Sequence, residues 1–182
     1  MAIQAGTYQL GPENGTLSVR TGRTGAAAKA GHDLVMHVTA WAATLEAGAD
    51  PADTRIELSA DAGSLRVREG RGGMQALGED DKANIEQTID DEVLKRQAIA
   101  FRSTRVRAVA DGSRLDVRGE LELLGATRPV AIDLAVAGDG TLSAVAIVRQ
   151  TDWGMKPYSA LFGALKVADE VEVAIDARLP SS

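Results

Sequence analysis

The chain has 182 residues, a length that suits one domain spanning 1–182, and no cysteine, which rules out disulfides, thiolate metal sites and cysteine nucleophiles. Its formal net charge is −6, from 20 Lys and Arg against 26 Asp and Glu, a balance that argues against a nucleic-acid partner. Apolar residues make up 45% but aromatics only 3%, so Ala and Val supply much of any core, and strands filled by such small side chains leave room for internal space.

Residues 1–10 (MAIQAGTYQL) show no basic start, apolar run or small-residue cleavage site, so a cytoplasmic protein is expected. No stretch approaches the roughly 18 apolar residues of a membrane span. Short strands are expected at 7–10, 16–21, 33–45, 55–58 and 64–68. Gly11-Pro12-Glu13-Asn14-Gly15 is the first turn signal. An Ala-rich segment at 25–31 reads as a short helix. The glycines of 69–73 and Gly78 read as a flexible loop, because they form neither a dinucleotide-binding fingerprint nor a phosphate-binding loop.

The clearest helix signal is 80–96. Ile85, Ile89 and Val93 recur at i, i+4 and i+8 and make one apolar stripe. Asp80 and Asp81 at its start, and Lys95 and Arg96 at its end, suit the helix dipole. The next strand opens with Ile99 and Phe101, but its apolar phase moves to Val106 and Ala108, which predicts a bulge.

Period-two alternation then dominates. In 114–123, Leu115, Val117, Leu121 and Leu123 alternate with Arg114, Asp116, Arg118, Glu120 and Glu122. After a turn expected at 125–129, Val130, Ile132, Leu134 and Val136 repeat the pattern. Residues 141–149 read as another strand, and Val171, Val173 and Ile175 alternate with Glu170, Glu172 and Asp176 near the end. Such alternation places the apolar phase inside and the carboxylates in water. The expected fold is mainly β, with eight to ten short antiparallel strands and one amphipathic helix, a sandwich or a closed barrel.

No catalytic pattern emerges, and the chain reads as a binding protein rather than an enzyme. The two histidines, His32 and His37, lie five residues apart and so on opposite strand faces, which denies them a shared metal. No nucleophile elbow supports a serine hydrolase. The acidic pairs at 80–81 and 90–92 read as helix cap and solvated helix face. Arg102, Arg105 and Arg107 read as a solvated strand face. Trp153, Met155, Pro157, Tyr158, Leu161 and Phe162 form an unusually apolar stretch where the alternation lapses, suited to plugging or lining one end of a barrel.

Several segments together resemble the YceI-like, polyisoprenoid-binding family of lipocalin-like barrels. These are AGHDLVMHVTAW (30–41), AIAFRSTRV (98–106), GELELLGATRPVAIDL (119–134), RQTDWGM (149–155) and the closing VADEVEVAIDARL. The helix at 80–96 falls where that family places one. The chain departs from the family's usual opening, with TYQLGPENGTLS lacking the expected His, and it has Ala98 where a Pro is usual.

The resemblance implies an antiparallel, lipocalin-like β-barrel of about eight strands with one amphipathic helix, an apolar ligand inside it such as a polyprenyl chain or a quinone, and no other cofactor. The site expected from phase and resemblance is Met36, Val38, Leu58, Phe101, Leu121, Leu123, Ile132, Leu134, Ile147 and Val173, with Trp153 and Phe162 at the mouth. No metal and no catalytic residue is expected, and the surface is compatible with a homodimer. Two other readings stay open: a filled structural barrel serving protein interaction or stress response, and a barrel enzyme pairing His32 with a carboxylate.

Overall fold

The computed structural model describes residues 3–109 and 111–180. One large antiparallel sheet dominates. Its segments are β1 (Gly6–Leu10), β2 (Gly15–Arg20), β4 (Asp33–Val38), β5 (Trp41–Ala47), β6 (Arg55–Ala60), β7 (Leu65–Arg71), β8 (Ile99–Val109), β9 (Arg114–Leu123), β10 (Ala126–Val136), β11 (Thr141–Arg149) and β14 (Glu170–Arg178). A second, three-stranded sheet joins β3 (Arg23–Thr24), β12 (Ser159–Ala160) and β13 (Leu165–Val167). The one α-helix among the described residues, α1 (Glu79–Thr88), runs into a π-turn at Ile89–Val93.

The large sheet has eleven segments where the resemblance implies about eight strands. The difference lies in kinks that split β1 from β2, β4 from β5, and β6 from β7. At the first kink the Asn14 side chain accepts the Gly11 N–H at 2.9 Å and donates to the Gln9 carbonyl at 2.9 Å. The other two kinks face each other. The buried Ser64 joins them, accepting the Ala40 N–H on its hydroxyl at 3.0 Å while its carbonyl takes the Thr39 hydroxyl at 2.8 Å.

Strand order is β1-β5-β6-β8-β9-β10-β11-β14-β2-β4-β7. The two ends of this order, β1-β5-β6 and β2-β4-β7, are the two halves of the same three kinked runs. Following the hydrogen bonds round the sheet therefore leads back to the chain where it began. The sheet is curled into a barrel, which removes most of the exposed edge.

The bulge is where the phase shift placed it: the β8–β9 register slips between Ser103 and Arg105. The turn after β9 is tighter than expected. Leu124 and Gly125, both with positive φ, make the whole connection, and β10 runs through Thr127 and Pro129 from Ala126.

The helix is shorter than 80–96. The Asp81 carboxylate accepts the Gly78 N–H at 2.9 Å at its start. At its end the π-turn's Leu94 N–H reaches the Ile89 carbonyl, five residues back, and Leu94 is thereby turned into the core. The Ala-rich segment is only a 3-10 turn, Ala28–Ala30.

Phase predicts facing over most of the barrel. Leu123 and Leu134 are buried, while Glu120, Glu122, Asp133 and Glu170 are exposed. Glu172 lies half-exposed on the outer face, where it pairs with Arg20 at 2.9 Å. The outward Arg102 stands between Glu57 and Glu120 across the ladder, and Arg107 opposite Asp116, so these arginines alternate with carboxylates.

Candidate functional site

Inward side chains of the barrel do not all meet. Leu121, Ile132, Val171, Val173 and Ile175 point inside yet stay only half-buried, because they border an open interior. That interior is a cavity of about 620 Å³ with an almost wholly apolar wall. Its volume lies within the roughly 300–1,000 Å³ typical of small-molecule sites.

Toward one end of the barrel the side chains pack together. Leu10, Leu17, Leu45, Leu115, Val117 and Leu142 are all buried and belong to one core cluster. Near the other end a second cluster gathers Ala62, Leu94, Leu123, Val148, Trp153 and Met155. The helix covers part of the cavity. Ile85, Ile89 and Val93 border it, so the apolar stripe predicted from spacing faces the interior. Glu86 anchors the helix to the end of the sheet by accepting the Val67 N–H at 2.8 Å. That N–H belongs to β7, the last segment of the ladder, so the bond also occupies an otherwise free strand edge.

Of the expected site residues, Met36, Val38, Leu58, Phe101, Leu121, Leu123, Ile132, Leu134 and Val173 all border the cavity. The Phe101 ring lies directly against Gly119 of the neighbouring β9, where a Cβ would collide with it. The bulge and this glycine together let a large ring lie flat on the wall.

Three expected residues are elsewhere. Ile147 points out of the barrel and is 52% exposed. Over 144–148 of β11 both phases are apolar, and the inward one is Leu142, Ala144, Ala146 and Val148, so Ala144 and Ala146 face the cavity while Val145 and Ile147 face out. Phe162 is fully exposed at the tip of a short turn, with a left-handed backbone of φ 56°. Trp153 is buried but does not line the cavity. It sits behind the wall in the second cluster, and its indole N–H donates to the Leu121 carbonyl at 2.8 Å. The apolar stretch at 153–162 is thus divided: Trp153 and Met155 form a plug, Tyr158 borders the cavity, and Leu161 and Phe162 face solvent.

Spacing missed the polar members of the border: Thr21, Arg23, Asn84, Thr88, Gln150 and Lys166. Asn84 and Thr88 lie on α1, and the others come from turns and short strands where alternation carries no information. His32 also borders the cavity, and its Nε2 lies 2.6 Å from the Gln75 carbonyl. His37, five residues on, sits in β4 opposite Ser18, beside the inward Met36. Its pKa lies below the ordinary value because burial disfavours the cation, with the nearby Arg68 charge adding to the effect. Among the described residues no cluster of three His, Asp or Glu could hold a metal ion, and no helix is long and apolar enough to cross a membrane.

Known proteins share this architecture. The family model described as YceI-like domain matches residues 8–179. The chain is similar to Burkholderia cenocepacia BcnA, with 17% identity, a TM-score of 0.65, and 92% of this chain and 96% of that one covered. It is also similar to the Campylobacter jejuni YCEI protein, with 12% identity, a TM-score of 0.54, and 81% and 85% covered. No curated protein matches the sequence. At these identities the solved structures bear on the fold alone.

Proposed function

The chain belongs to the YceI-like domain family, and from that premise we propose that it binds and carries an apolar, isoprenoid-like lipid, a polyprenyl chain or quinone, inside its barrel. The observation that supports this most is the unfilled apolar interior of about 620 Å³. At roughly 30 Å³ apiece, the volume share of a water molecule and close to that of a methylene, it has room for about twenty such groups. Burying twenty methylenes at about 0.8 kcal/mol each amounts to about 16 kcal/mol in gross terms. Association and the ordering of a flexible chain offset on the order of 4–15 kcal/mol of that.

The wall offers this chain what it requires. Met36, Leu58, Phe101, Leu121, Ile132 and Val173 contact it along its length, and few polar groups compete for water. An exchangeable hydrocarbon needs no reactive group, so the proposed role is binding and not catalysis.

The test is native mass spectrometry of freshly purified protein, followed by organic extraction and lipid analysis, alongside fluorescence titration with a polyprenol and a quinone probe. A lipid adduct or saturable binding of either probe is expected. No adduct together with no saturable binding refutes the proposal and leaves a barrel that serves as a structural or interaction module.

A further inference from the structure

The border of the cavity has an unexpected sign. The protein is acidic, with 26 Asp and Glu against 20 Lys and Arg. Yet among the described residues no carboxylate lines the cavity, while three basic side chains do: Arg23, His32 and Lys166. All three come from one region. Arg23 lies in β3 opposite Val167 of β13, Lys166 is the next residue along β13, and His32 immediately precedes β4.

Two of these groups are held in place. Arg23 donates to the Gly31 carbonyl, and its Nε stands 3.5 Å from the half-exposed Asp33 carboxylate. A guanidinium has five N–H donors, so these partners leave others free. The His32 Nε2 faces a carbonyl, which can only accept, so Nε2 carries the proton and spends it there, leaving the charged donors of the border to Arg23 and Lys166.

The glycine-rich run after β7 explains how they are held. A Cβ at Gly72 would strike the Arg23 guanidinium, and one at Gly73 would strike the His32 ring. Both glycines have positive φ, 78° and 76°. The run that reads in sequence as a flexible loop is therefore a fitted collar around two basic side chains.

A positive rim on an apolar cavity selects a negative head on an apolar tail. Cationic borders concentrate anions, and an arginine fork matches the oxygens of a carboxylate or phosphate. We infer that the ligand is an amphiphile with an oxyanion head, a phosphate or carboxylate, seated at Arg23 and Lys166, with its hydrocarbon tail in the cavity. This rests on the lipid-binding reading above and narrows it to exclude uncharged prenols and quinones as the preferred ligand.

The test titrates the intact protein with two matched pairs: a prenyl monophosphate against the prenol of the same tail, and a long-chain fatty acid against its methyl ester. Wild type should bind at least one anion about tenfold or more tighter than its neutral partner, the order expected of a charge-assisted hydrogen bond, and added salt should shrink the gap. The pair that shows the gap identifies the head as phosphate or carboxylate. Lys166→Gln and Arg23→Gln should narrow the gap while leaving the affinity for the neutral partner unchanged. Lys166 is exposed, so its variant keeps the test informative even where Arg23→Gln disturbs its contact with Gly31.

Equal binding of anion and neutral partner overturns this inference and leaves lipid binding standing. A gap that survives both substitutions overturns the assigned site. Failure of all four probes to bind overturns the lipid-binding reading itself, and this inference with it.

Discussion

Replacing Ala146 by Trp separates an empty barrel from a filled one. Ala146 lies on the inward phase of β11, opposite Val173, and borders the cavity. A Trp side chain buries roughly 150–250 Å² when enclosed. At about 25 cal/mol per Å² that is an upper limit of about 4–6 kcal/mol, less the rotamer freedom lost. The cavity of about 620 Å³ has space for an indole without displacing the wall. The variant is therefore expected to keep or raise its urea midpoint, while its affinity for a polyprenol probe falls because the ring occupies the tail's volume. Equilibrium urea denaturation by circular dichroism and a fluorescence titration read the two quantities. In a filled interior the same change overpacks and costs typically about 1–3 kcal/mol. Destabilisation of that size, with probe binding unchanged, refutes the cavity argument.

Two other outcomes follow from side chains the structure places. Trp153→Phe removes a buried hydrogen bond to the Leu121 carbonyl and should cost roughly 1–3 kcal/mol in chemical denaturation, and a change near zero means that the plug bears no load. His37 has its pKa held below the ordinary 6.5, so the unfolded chain takes up the proton first. Its contribution to stability is intact above that value and declines as pH falls below it, towards the lower folded pKa. His37→Gln should flatten the fall of melting temperature on acidification through this window, and an unchanged slope refutes the assignment.

Much of the barrel is legible in the chain itself. Where one face of a strand is charged and the other apolar, as in β9 with its Arg, Asp and Glu against Leu and Val, alternation fixes both the strand and its inward side. The same logic located the β8 bulge, because a slipped phase requires an extra residue. The nine of the twelve expected residues that border the cavity all lie on strands of this kind or on the family's recognisable segments.

The remainder depended on tertiary closure. In the middle of β11 the run Ala144-Val145-Ala146-Ile147-Val148 is apolar on both faces, so local hydropathy favours the larger Ile147 over Ala146 as the inward residue; pairing with β10 and β14 decides otherwise, and Ala146 faces the cavity. Trp153 and Phe162 look alike in a sequence of apolar loop residues. One finds a carbonyl and a packed cluster, whereas the other is left at a turn tip, and only the folded path of residues 150–163 distinguishes them. The basic rim joins β3 and the start of β4 to β13, more than a hundred residues further along the chain, so no local pattern could announce it. Small apolar side chains permit an interior void but do not establish one. Alternation says which side chains face one another, but whether they touch is set by the curvature of the closed sheet.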